Sequence, residues 1–118
     1  MREVDLYKRE NGRKPVKEFL KELSPKLHAK TVDLLVAVET NDAYLSMPHS
    51  KYMEDDIYEF RIRFASDIAR VFYFFFHKDK IILTNGFVKK SQKTPPNELK
   101  RAKEYKKDYE RRMSNNEY

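Results

Sequence analysis

The sequence predicts an α+β fold, a two-layer domain in which an antiparallel sheet of about four strands carries two N-terminal helices and one C-terminal helix. Three observations point to it. Apolar residues recur at helical spacing twice before residue 41 and once after residue 95. Three strand-length runs lie together between residues 58 and 88. Turn-forming residues separate almost every pair of runs. The expected order is β-α-α-β-β-β-α. With 118 residues there is room for one core, so residues 1–112 are read as a single domain and residues 113–118 as a frayed tail.

Val4 to Lys8 alternates weakly and reads as the first strand, ended by the Asn11-Gly12 turn. Pro15 suits the first turn of a helix. Val16, Phe19, Leu20 and Leu23 then follow at i, i+3, i+4 and i+7, one apolar stripe. Ser24-Pro25 repeats the start signal, and Leu27, Thr31, Leu34, Leu35 and Val38 continue the spacing to about Thr40. Asn41 to Asp56 has no clean period and reads as a loop. Tyr58 to Phe64 alternates strictly, with Tyr58, Phe60, Ile62 and Phe64 on one side and Glu59, Arg61 and Arg63 on the other. Ser66-Asp67 makes a turn. Ile68 to Phe76 is almost wholly apolar, which predicts a central strand covered at least partly on both faces. His77 to Lys80 turns tightly into the strand Ile81 to Val88. Thr94-Pro95 starts the last helix, whose thin apolar stripe is Leu99, Ala102, Tyr105 and Tyr109.

Composition narrows the function classes. No run approaches the roughly 20 apolar residues of a membrane span. The charged N-terminus MREVDLYKRENG does not read as a signal peptide. The absence of cysteine excludes disulfides, thiolate zinc sites and cysteine nucleophiles, and it fits a reducing cytoplasm, the expected location. Between Phe87 and Arg112 ten basic residues stand against four acidic ones, an excess equal to the whole net charge of +6. A polyanion or an acidic partner is therefore favoured near the C-terminal third, against the plainer reading of a solvated basic helix.

Three elements are candidates for chemistry. A sheet with one face under helices leaves Glu59, Arg61 and Arg63 on the other, where a row of cations can neutralise successive phosphates. The plainer reading is an ordinary solvated strand face. Arg70 stands alone within an apolar strand. It either pairs with Glu59 on the neighbouring strand, a structural role, or stabilises charge on a phosphate in transit. Lys89, Lys90 and Lys93 leave the last strand beside a helix N-terminus, an arrangement that suits an anion. His28, His49 and His77 show no metal-site spacing and read as solvated.

These residues carry a resemblance. Ile57-Tyr58-Glu59-Phe60-Arg61, then Arg70-Val71-Phe72-Tyr73-Phe74, then Asn85-Gly86-Phe87-Val88-Lys89-Lys90-Ser91-Gln92-Lys93-Thr94-Pro95 resemble the HigB branch of the RelE/ParE toxin superfamily, also described as phage-derived Gp49-like proteins. The third segment is the most specific, and Gly12 to Leu20 resembles the family's opening. The family's leucines are replaced by Ile57 and Phe60. The resemblance implies a RelE-like fold and the toxin of a type II toxin–antitoxin pair, an endoribonuclease that cleaves messenger RNA, usually in the ribosomal A site. It implies 2′-OH attack on phosphorus with no metal or other cofactor. Its partner would be a HigA-like helix-turn-helix antitoxin, through which alone it would meet operator DNA. By position it implies catalytic roles for Glu59, Arg61, Arg70 and Lys90, and RNA contacts for Arg63, Lys89 and Lys93. Glu59 is the expected acceptor of the 2′-OH proton. RelE-like enzymes often place a proton-transfer residue near the C-terminus, where Tyr105 and Tyr109 are the candidates here. A ParE-like gyrase inhibitor and a non-catalytic basic RNA- or protein-binding domain are the alternatives.

Overall fold

The computed structural model describes residues 2–89 and 95–118, with Lys89 described by its backbone alone. The chain runs β1 (Glu3–Leu6), α1 (Pro15–Glu22), α2 (Pro25–Ala37), β2 (Ser50–Glu54), β3 (Ile57–Phe64), β4 (Asp67–Phe76), β5 (Lys80–Lys89) and α3 (Pro96–Ser114). The α+β class and the helix–helix–strands–helix order are those expected. The sheet differs in two ways. It has five strands, in the order β1-β5-β4-β3-β2, and it is mixed, because β1 pairs in parallel with β5.

The extra strand is β2, inside the stretch expected to be a loop, which also holds a 3₁₀ turn at Asp42–Leu45. Its sequence, Ser-Lys-Tyr-Met-Glu, lacks a clean apolar period because the strand lies on the sheet edge. Only Ser50 is fully buried, and pairing with β3 holds the rest in place.

Helices cover both faces of the sheet, so the two-layer expectation is also corrected. Val16 and Phe19 of α1 and Leu27, Leu34 and Leu35 of α2 pack with Phe60, Ile62, Val71, Tyr73, Ile81 and Leu83. Ala102 and Tyr109 of α3 pack on the other face, against Ile57, Phe72, Phe74 and Ile82. The apolar run in β4 follows from this. Val71 and Tyr73 serve one core while Phe72 and Phe74 serve the other, and all four are fully buried. Each such side chain contributes roughly 1.5–3 kcal/mol of burial.

Two glycines are set by local geometry. Gly12 closes the predicted turn at φ +87°, donating its N–H to the Arg9 carbonyl at 2.8 Å. Gly86 lies under Phe19, and a Cβ there would stand 2.6 Å from the ring. The C-terminal residues expected to fray are tied down. Helix α3 continues to Ser114, and the Tyr118 hydroxyl accepts a hydrogen bond from the Lys8 N–H at 2.6 Å. The Tyr118 ring also lies 4.6 Å from the Arg112 guanidinium.

Candidate functional site

Strict alternation in β3 puts Glu59, Arg61 and Arg63 on the face opposite Phe60 and Ile62, as the sequence predicts. The register then sets Arg61 directly across from Arg70 on β4, and Arg63 across from Ile68. Two guanidinium groups facing each other on neighbouring strands repel. Glu59 offsets that repulsion. One of its carboxylate oxygens lies 3.3 Å from Arg70 Nη1 and 3.6 Å from Arg61 Nε.

Burial divides the cluster. The Glu59 and Arg70 side chains are 1% and 2% exposed, while Arg61 keeps 18% and Arg63 is open to solvent. Of the two roles open to Arg70, the pairing with Glu59 is therefore present. A carboxylate this deeply buried, with two guanidinium groups upon it, has no open path to a substrate hydroxyl. Its evident work is to fix the two arginines. The exposed end of the cluster, Arg61 and Arg63, is what a polyanion can touch.

The lysine exit is described only at its first residue, where the Lys89 backbone pairs with Ile68 beside Arg63. Lys90 and Lys93 lie outside the described residues.

The C-terminal tyrosines stand elsewhere. Tyr109 is buried against Phe74 and Phe76, and burial pushes its hydroxyl pKa up to about 12. Phe74 is four residues from Arg70 along β4, on the order of 13 Å. Tyr105 stacks on Tyr7 at 4.7 Å and lines a cleft with Arg9, Arg13 and Arg101. The structure thus brings neither tyrosine to Glu59 and Arg61.

Much of the positive charge on α3 is engaged within the chain. Lys103 reaches Glu54 and Asp55 at the β2–β3 turn, at 2.5 and 3.2 Å. Arg101 pairs with Glu98, and Lys106 with Glu110. Arg111 pairs with Glu10, Asp108 and Glu117, while buried Arg112 pairs with Asp108. The charge surplus is real, but helix α3 is mostly a clamp on its own neighbours.

His28 and His77 are exposed, as expected, while His49 is partly buried. The ring of His28 is hydrogen-bonded through Nδ1 to the Leu20 carbonyl at 2.8 Å. His49 is half-buried against Tyr44, with ring centroids 4.8 Å apart. Its carbonyl accepts the Arg61 N–H at 2.9 Å. Together with Lys30 on α2, His49 lines a groove of about 700 Å³ that also reaches Arg61 and Arg63. Neither residue was singled out from the sequence as part of a site. The only local hint was Pro48-His49 just before an edge strand that has no period of its own.

Among the described residues, no helix is long and apolar enough to cross a membrane. A comparison with curated proteins finds no match. Residues 18–107, most of the chain, from within α1 to within α3, match the family described as phage-derived protein Gp49-like, and the chain belongs to that family.

Proposed function

We propose that this Gp49-like chain is the toxin of a type II toxin–antitoxin pair and acts as an endoribonuclease on messenger RNA, with the ribosomal A site presenting the substrate. The observation that carries this reading is the graded cluster on β3 and β4. Glu59 and Arg70 form a buried pair that holds Arg61 in place, and Arg61 and Arg63 meet solvent at its end. Arg61 then holds the scissile phosphate and offsets the negative charge that grows on it, while Arg63 and the lysines at 89, 90 and 93 track neighbouring phosphates.

In the reaction the 2′-oxygen bonds to phosphorus, the bond to the 5′-oxygen breaks, and a cyclic phosphate and a 5′-hydroxyl result. The 2′-OH proton leaves to solvent and the 5′-oxygen takes one up. Burial recasts the expected role of Glu59 from proton acceptor to positioning residue, and Arg70 becomes its counter-charge. Lys90 is proposed as a second cation on the transition state. The partner in this reading is a helix-turn-helix antitoxin, with operator DNA met only through it.

Primer extension on messenger RNA, with and without ribosomes, tests the proposal. New 5′-hydroxyl ends that vanish in Arg61→Ala support it. Intact transcripts accompanied by double-strand DNA breaks would instead establish gyrase poisoning and sink the ribonuclease reading.

A further inference from the structure

In the proposed cleavage the 5′-oxygen takes up a proton, and the buried cluster cannot supply one. Glu59 is sealed beneath two guanidinium groups, and Tyr105 and Tyr109 stand elsewhere. The groove beside Arg61 and Arg63 holds other groups. Among its described lining residues, those that titrate or carry charge are Lys30 and Asp33 of α2, Tyr44 of the 3₁₀ turn, His49, and Arg61 and Arg63 of β3. Side-chain chemistry separates them. Arginine does not give up its proton, lysine and tyrosine ordinarily release theirs far above neutral pH, and a carboxylate has already lost its own. Imidazole ordinarily changes charge between about pH 5 and 8.

His49 is also held in place. The Asn41 side chain accepts the Ala43 N–H at 3.0 Å and caps the 3₁₀ turn, which sets the Tyr44 ring against His49 with centroids 4.8 Å apart. His49 donates its N–H to the Ser46 carbonyl at 3.0 Å, and its carbonyl accepts the Arg61 N–H at 2.9 Å. Ser50 pairs with Phe60, so the next residues outward to face each other are His49 and Arg61. Opposed residues of that kind bring their Cα atoms to about 4.5–5.5 Å. His49 is thus fixed through its backbone, packed through its ring, and shares the groove of about 700 Å³ with the two arginines at the open end of the cluster.

We propose that His49 is the general acid of the cleavage, giving its ring proton to the 5′-oxygen as that oxygen leaves phosphorus. This assignment rests on the ribonuclease reading of the same site. The 2′-oxygen bonds to phosphorus, the bond from phosphorus to the 5′-oxygen breaks, and the freed electron pair takes the proton from the imidazolium. The neutral ring then recovers a proton from solvent, which balances the one that the 2′-OH released. Arg61 offsets charge on the phosphate while His49 neutralises the leaving oxygen. A positioned proton donor contributes about 10²–10⁴-fold.

The test compares two messenger RNA fragments presented with ribosomes to the full chain, one natural and one with sulfur in place of the bridging 5′-oxygen at the cleavage site. A thiolate leaves without a proton, so the second substrate has no need of the acid. His49→Ala and His49→Gln should each cut the natural substrate about 10²–10³-fold more slowly and the sulfur-bridged one at close to the wild-type rate. The ratio of the two rates is the readout, because a loss of folded protein leaves it unchanged. Arg61→Ala should be slow on both. The wild-type advantage over each His49 variant on the natural substrate should shrink as pH rises through about 5–8, since a deprotonated ring has no proton to give. A wild-type rate ratio in both variants, or an advantage that does not change with pH, overturns the role of His49 and leaves the ribonuclease standing. Failure of the wild-type chain to cut either substrate removes the ribonuclease reading, and the general acid with it.

Discussion

Two carboxylate-centred clusters organise this molecule, and they use nearly the same ingredients. On the sheet, Glu59 sits between Arg61 and Arg70. On the last helix, Asp108 sits between Arg111 and Arg112 and accepts the Tyr7 hydroxyl at 2.5 Å. The second cluster spends its donors on the chain itself. Arg112 also donates to the Lys8 carbonyl and lies over the Tyr7 and Tyr118 rings, so the segment just after β1, helix α3 and Tyr118 are fastened at one point. The first cluster spends half of its charge internally and leaves Arg61, beside exposed Arg63, at a groove. Arginine and carboxylate in contact are therefore no sign of function. What separates the two clusters, a site and a staple, is what surrounds the solvent-exposed cation: half-exposed Arg111 is ringed by Glu10, Asp108 and Glu117, whereas Arg61 stands beside exposed Arg63 at the groove.

The sharpest way to break this comparison is to remove the buried anion. Glu59→Gln leaves Arg70 buried without that charge partner, and urea denaturation should show a loss of about 3–5 kcal/mol. Stability that is unchanged would mean that Glu59 does not hold the cluster together. Arg61→Ala should behave in the opposite manner, lowering RNA cleavage by about 10²–10³-fold while moving Tm little. If stability falls as steeply as in Glu59→Gln, then Arg61 belongs with the staple.

On the other cluster the effects are smaller and confined to stability. Tyr7→Phe removes one hydrogen bond to a charged acceptor, and should cost about 1.5–3 kcal/mol with cleavage unaffected. The mildest test is pH. Burial alone would raise the Asp108 carboxyl, but hydrogen bonds from Tyr7, Arg111 and Arg112 outweigh it and hold the group below the usual carboxylate range. A depressed folded-state pKa gives stability that is present above the unfolded value and lost as pH falls through the folded one. Melting profiles below about pH 4 should therefore decline less steeply in Asp108→Asn than in wild type, and identical slopes would remove Asp108 from the staple.

Much of the architecture is legible in the sequence. Strict alternation separates Tyr58, Phe60, Ile62 and Phe64 from Glu59, Arg61 and Arg63, although the second face, expected to be free, is partly covered by α3. The apolar run from Ile68 to Phe76 marked a strand covered on both sides, and the position of α3 explains why. The helix starts at Pro15 and Pro25 fall where proline at the first helical position predicted them. Strand β2 was not legible, since an edge strand with one buried residue carries no period. The parallel pairing of β1 with β5 was equally hidden, because nothing in Glu3 to Leu6 records which edge it joins.

The candidate site divides along the same line. That Glu59, Arg61 and Arg63 share a face, and that Arg70 is out of place in its strand, follow from the sequence alone, because periodicity and polarity are local properties. Only the tertiary structure decided that Arg70 meets Glu59, that both are buried, and that Arg61 remains at the edge. Register, burial and the reach of a side chain depend on segments far apart in the chain, such as Lys30 at the Arg63 carbonyl and His49 at the Arg61 N–H. The same holds for the charge surplus. Its amount is written in the composition, but its availability depends on which cations of α3 fold back onto Glu10, Glu54 and Asp55.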